Sequence, residues 1–303
     1  AALVLLSACG SSSTESAFTP ERLVSFGDAF SDLGQNGGKY TVNDDSVNHW
    51  LSQVALRYDR PITATNAGGL GYGTASARVT HKPDPAGSLA TPTVTEQIDR
   101  FLATQTVNGN ELVILGGGIA DIVAEAKAFE AGSQTEDQMM ENIRQAGRDL
   151  SAQARRLVSA GVKHVVVVGA LNVGYTPWAG EESARTRRLN DASLSFNEAF
   201  LVSAVDLGET VLYVDALYYF NLLSTRPSSF SLTNAAIPVC TSVDSGPGIG
   251  LGDGQVNSSL CTTSTLVSGA DYNAYVYADA LYPAPRAHRL FGDYAYDRIR
   301  NRW

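Results

Sequence analysis

The stretch KHVVVVGAL, Lys163 to Leu171, places four valines in a row ahead of a glycine. A strand with one wet face alternates apolar and polar residues. This one is apolar on both faces, so both faces need cover. Three further runs read as buried strands: LVSFG (Leu23–Gly27), ELVILGGG (Glu111–Gly118) and TVLYVDA (Thr210–Ala216). Between them lie amphipathic segments. SVNHWLSQVALRY carries Val47, Trp50, Leu51, Val54 and Leu56 at helical spacing, and VTEQIDRFLAT is a second helix. DQMMENIRQAGRDLSAQARRLVSAG is a long helix ending at Gly161, another helix falls near 186–206, and PRAHRLFGDYAYDRIRNRW is the last. Buried strands alternating with such helices predict an α/β fold, a single three-layer α/β/α sandwich around a parallel sheet. Ligands of these folds bind at the carboxyl ends of the strands. GDA (27–29), GGGIAD (116–121) and NVG (172–174) all fall there.

Composition narrows the partners. The chain has 303 residues and a net charge of −9, which argues against nucleic acid and against binding to anionic membrane surfaces by charge. Four histidines and three cysteines show no zinc-ligand spacing, so neither a metal nor a cofactor is expected.

The first residues, AALVLLSACGSSSTES, resemble the end of a bacterial lipoprotein signal with a lipobox at Leu6-Ser7-Ala8-Cys9. The apolar run is too short to span a bilayer. With no initiator Met and no basic segment before it, the chain is expected to begin inside the signal. On this reading residues 1–9 are partial signal, Cys9 is the lipidated residue that attaches the protein to a membrane, and residues 10–19 are a Ser-rich tether. The domain is then 20–303. Gly10 rather than Asp after the cysteine points to the outer membrane of the cell envelope. The competing reading is a buried N-terminal strand.

Cys240 and Cys261 flank a Gly/Ser-rich segment that can bury little. A disulfide would pin its ends, as an oxidising compartment permits; two free thiols are the alternative.

The strand-end blocks resemble those of the GDSL or SGNH hydrolases, a family of esterases and lipases, from about Leu23 to the end of the chain. That resemblance implies a five-strand parallel sheet and a Ser nucleophile in a Gly-Asp-Ser block. It also implies oxyanion donors from a Gly backbone N–H and an Asn side chain, and a closing Asp-x-x-His-Pro block that holds the base. The logic is that of a serine–histidine–carboxylate triad. Here Gly27-Asp28-Ala29 has alanine at the nucleophile position. In YGTASARV, Ala75 and Ser76 stand where the family has glycines; a backbone N–H survives such a change. In GGGIAD, Gly118 and Asp121 match but Ala120 replaces the Asn. In ADALYPAPRAH, Asp279 and Pro283 match but Tyr282 replaces the His. A methyl group cannot attack a carbonyl, and a tyrosine is a poor general base at neutral pH. Ser31, two residues on, would point elsewhere.

Asp28 is read as serving both the site and the turn, and Asp32 as a turn or helix N-terminus residue. His288, early in the last helix, reads either as a packing residue or as a substitute base. His49 and His164 read as surface residues or as the starts of a helix and a strand, and His81 as a loop residue. The aromatics Phe30, Tyr72, Trp178 and Tyr282 read equally well as core. Three altered side chains favour a hydrolase fold that has lost its chemistry and binds an acyl ester or a glycan, or serves as a scaffold. The alternative is an active esterase with His288 as base.

Overall fold

The computed structural model describes residues 18–303. The signal segment with Cys9, Gly10 and most of the tether lie outside the described residues. The first of those described, Phe18, stacks on His164 with ring centroids 3.8 Å apart and meets Trp303 edge-on.

Four parallel strands form the sheet, in the order β1 (Leu23–Phe26), β2 (Leu112–Gly116), β3 (His164–Val168) and β4 (Val211–Val214). Leu23 pairs with Leu112, Leu112 with His164, and Val165 with Val211. Nearly every strand residue is buried, as two-sided cover requires. The expected fifth strand is absent from the described sheet. The segment beside β1 pairs with it through the single bridge Ser25–Gly71, with Ser25 N–H donating to Leu70 O and Tyr72 N–H to Ser25 O. That segment reads NAGGLGYG, and glycine at this density weakens a strand by backbone entropy and by leaving nothing to pack.

Seven helices cover the sheet among the described residues. Helices α1 (Trp50–Tyr58), α6 (Ala216–Thr225) and α7 (Pro285–Arg300) pack together. A second group comprises α2 (Val94–Thr104), α3 (Ile119–Glu130), α4 (Glu136–Ser159) and α5 (Ser183–Ser203). Helix α2 opens with a reciprocal capping box between Thr93 and Glu96. Helix α4 buries Met139, Ile143, Ala146, Leu150, Ala154 and Leu157 along one stripe. Helices α3 and α6 carry no clean apolar stripe, since apolar residues run round most of their circumference. Periodicity therefore did not announce them.

Cys240 and Cys261 are joined by a disulfide, their Cα atoms 5.9 Å apart. The loop it closes is sewn to residues 38–43. Asn43 Nδ2 donates toward the carbonyls of Ser258 and Cys261 at 3.2 Å each, and Asn43 N–H donates to Cys261 O at 2.8 Å.

Candidate functional site

The chain leaves β1 through Gly27, held at φ 150°. A side chain there would meet Ser31 Oγ at 2.9 Å and the Gly116 backbone at 3.2 Å. Buried Gln97 of α2 clamps both polar atoms of this residue. Gly27 N–H donates to Oε1, and Nε2 donates to Gly27 O, each at 2.9 Å. Asp28 follows and caps a short 3-10 turn, Ala29–Ser31, by accepting from Phe30 N–H at 3.0 Å. Its other oxygen accepts from Ile119 N–H at 3.1 Å, with the Ala120 N–H also directed at it. Asp28 thus sits on the positive end of α3. Burial nevertheless pushes its carboxyl up to about 6, with Asp121 adding to the rise, while the backbone donors oppose it.

This one carboxylate brings the first and third blocks together, because Ala29 is its neighbour on one side and Ala120 on the other. Gly118, at φ 110°, opens α3, and a Cβ on it would lie 2.5 Å from the Phe196 ring. Asp121 is tied to the end of the second block. It accepts from Val79 N–H at 3.0 Å and from Arg78 Nε at 3.2 Å, while Arg78 also reaches Glu125 at 2.5 Å. Burial raises the Asp121 carboxyl against the pull of Arg78.

Ala75 N–H, the surviving backbone donor of the second block, is already occupied: it donates to Asp32 Oδ2 at 2.8 Å. The other oxygen of Asp32 accepts from Gly34 and Gln35 N–H at 2.8 Å. Asp32 is therefore a turn anchor reaching across to the second block. Ser76 keeps a left-handed backbone, φ 61°, a conformation glycine takes freely and serine does not.

In the last block, Asp279 spends both oxygens on local donors. Oδ1 accepts from Leu281 and Tyr282 N–H at 2.8 and 2.7 Å. Oδ2 accepts from the N–H and hydroxyl of Ser258, at 3.2 and 2.5 Å. Tyr282 is 2% exposed and lies within the fields of Asp28, Asp279 and Asp32. Burial first, then those carboxylates, raises its phenol well above the usual tyrosine range, so it stays protonated. Tyr40 packs edge-on against it, ring centroids 5.4 Å apart. Asp28, Ala29, Ala120, Asp279 and Tyr282 are all at most 2% exposed. The strand-end centre is thus filled with side chains rather than open as a cleft. Sequence reasoning overlooked Ser258 and Tyr40, and no motif around either one flags it.

His288, on α7, borders this centre and faces α1. Its Nδ1 accepts from Trp50 N–H at 3.3 Å, and its ring stacks on His49 and Phe30 at 4.8 and 5.6 Å. Burial pushes the imidazole down to about 3, with the Tyr40 carbonyl opposing. His49 caps α1 by accepting from Leu51 N–H at 3.3 Å. It is fully buried rather than on the surface. His164 opens β3. Ser31 is buried, with its hydroxyl against the Gly27 and Gly116 backbone. Trp178 is half-buried and lies under the Arg185 guanidinium. No cluster of three or more metal-binding side chains forms among the described residues. None of the described helices is long and apolar enough to cross a membrane.

A parallel sheet with Gly27-Asp28 after β1, Gly118-x-x-Asp121 after β2 and Asp279-x-x-x-Pro283 just ahead of α7 defines a three-layer α/β domain. The sequence profile of the GDSL-like lipase/acylhydrolase family matches residues 23–295, and the chain belongs to that family. A search of curated proteins finds no match. Among solved structures, an acetyl-xylooligosaccharide esterase variant from Geobacillus superposes with a TM-score of 0.48 at 11% identity, covering 93% of this chain and 95% of the other. Phospholipase A1 from Streptomyces albidoflavus superposes with a TM-score of 0.47 at 15% identity, covering 93% and 99%.

Proposed function

We propose that this family member is catalytically silent and works by binding. On this proposal it is held at the bacterial cell envelope by a lipid on Cys9 and takes a glycan or acyl ligand, or acts as a scaffold. The observation that carries the reading is the filled centre. Ala29 offers no nucleophile, Tyr282 occupies the place of a base and stays protonated, and Ser258 has taken the free oxygen of Asp279. An ester carbonyl has neither an attacking atom nor space beside Ala29. His288 does not supply the missing base: its Nδ1 is engaged by the Trp50 backbone, and burial disfavours the imidazolium a base must become.

Hydrolysis of short-chain nitrophenyl esters tests this. The expected rate is that of buffer with an unrelated protein, unchanged in His288→Ala. Turnover above that background would overturn the silent reading, and its loss in His288→Ala would assign His288 as the base. The anchor is tested separately. The wild-type chain made with its full signal should partition into detergent and the outer-membrane fraction, and Cys9→Ala should remain aqueous. A wild type that is wholly aqueous, with Cys9 unmodified, would overturn the envelope assignment.

A further inference from the structure

A cavity of about 360 Å³ opens beside the first two blocks, between the 63–75 segment and the start of α2. That volume falls within the usual range for small-ligand pockets. Its floor is rigid. Gln97 is spent on Gly27, and Gln35 donates to Gly71 O at 2.6 Å while accepting from Thr65 Oγ1 at 3.1 Å. Its rim keeps unused polar groups. Asn66 donates to Gln35 O, which leaves its own Oδ1 without a protein partner among the described residues. Ser88 Oγ accepts from Ala90 N–H at 3.1 Å, and its hydroxyl proton is uncommitted.

Among the described residues, Arg100 supplies the one uncompensated charge on this wall. Its guanidinium carbon sits 5.9 Å from the centre of the Tyr72 ring. The two acids that could neutralise it are engaged elsewhere. Glu96, one turn back, pairs with Lys82 at 2.9 Å, and neighbouring Asp99 pairs with Arg156 at 2.5 Å. A guanidinium fork over an aromatic ring, with free amide and hydroxyl groups around it, matches a carboxylate carried on a polyhydroxylated body. A single cation in a chain of net charge −9 suits a monoanion better than a phosphate.

We infer that this pocket binds a sugar acid, a uronate either free or at the end of a glycan. The inference rests on the proposed binding role and names its ligand class. The probes are D-glucuronate, its methyl glycoside, D-glucose and acetate, titrated against wild type and Arg100→Gln by NMR shift perturbation. Arg100 is exposed on α2, so its replacement leaves the fold intact. Glucuronate should bind at least tenfold more tightly than glucose or acetate, shifting signals of Asn66, Ser88 and Arg100, and Arg100→Gln should remove that preference. The methyl glycoside binding as well as the free acid assigns a chain end; binding only by the free acid assigns the monosaccharide. Equal affinity for glucose, no binding at millimolar concentration, or a preference that survives Arg100→Gln would overturn the inference. A failure here with no esterase activity sinks only this pocket, whereas esterase turnover sinks the silent reading whatever glucuronate does.

Discussion

The Ser258 hydroxyl donates to Oδ2 of Asp279 across 2.5 Å, with both residues fully buried and 21 positions apart in the chain. In the serine-hydrolase pattern that oxygen orients a histidine. Here it fastens the disulfide-closed loop to the turn that carries Tyr282. Asp279 thereby anchors the loop and the turn to each other.

Removing the hydroxyl should be felt in stability. Ser258→Ala leaves one lone pair of a buried carboxylate unmet, and a hydrogen bond to a charged group contributes about 1.5–3 kcal/mol. Urea unfolding should show a loss in that range. A change under about 0.5 kcal/mol would mean that the backbone N–H of Ser258 alone satisfies Asp279.

Rebuilding the nucleophile alone should fail. Ala29→Ser places a hydroxyl in a buried site with Tyr282 at the base position and no amide donor at Ala120. Members of a catalytic unit rescue one another only together. The triple variant Ala29→Ser, Ala120→Asn, Tyr282→His restores the three side chains, and adding Ser258→Ala frees Asp279 to orient the new histidine. Nitrophenyl ester turnover should rise from the triple to the quadruple variant. An oxyanion-hole donor is typically worth about 10²–10³-fold, so reverting Ala120→Asn in the active quadruple should lose on that order. Strong activity from Ala29→Ser alone would show that a base is already in place.

Acid should weaken the fold through its buried imidazoles. His288 has a native pKa near 3 against an ordinary 6.5, and His49 is lowered too. Between those pH values the unfolded chain binds more protons than the native one, so stability rises with pH across this window. The contribution is complete above 6.5 and is lost as pH falls toward 3, with at most roughly 5 kcal/mol from His288. Asp28 acts in the opposite sense. Its native pKa is about 6 against 3.8, so its contribution is complete below 3.8 and is lost as pH rises through 6. Unfolding free energies measured across this range should show a shallower acid slope in His288→Phe and a steeper one in Asp28→Asn. An unchanged slope in His288→Phe would refute the assignment.

Gly118 should not tolerate a side chain. At φ 110° an alanine is strained, and its Cβ would press on the Phe196 ring at 2.5–2.9 Å. Overpacking and backbone strain together should destabilise Gly118→Ala by about 2–5 kcal/mol. Adding Phe196→Leu should recover the steric share and leave the backbone share. A thermal midpoint for Gly118→Ala within a degree or so of wild type would show that the α3 start moves aside.

The parts of this protein legible in the chain are those set by neighbours in sequence. Four valines in a row, a capping box at Thr93–Glu96 and the apolar stripe of α4 each state a local preference, and local hydrogen bonding fulfils it. Gly-Asp before Ala29 and Gly-x-x-Asp around Ala120 were readable as strand ends for the same reason. A fifth strand was expected from the family resemblance, but glycines beside β1 leave few side chains to hold a strand in place. What lay beyond reach was pairing across long separations. Asp28 meets Ile119 across 91 positions, and Trp50 meets His288 across 238. No periodicity marks such contacts, because which buried carboxylate finds which donor depends on how helices and loops close over the sheet. Three altered side chains in the sequence raised the expectation that the family's chemistry is interrupted here. Only the folded chain, by packing Tyr282 into the centre and giving Asp279 to Ser258, decided that the space itself was closed, since excluding water from a site requires side chains that arrive there from distant parts of the sequence.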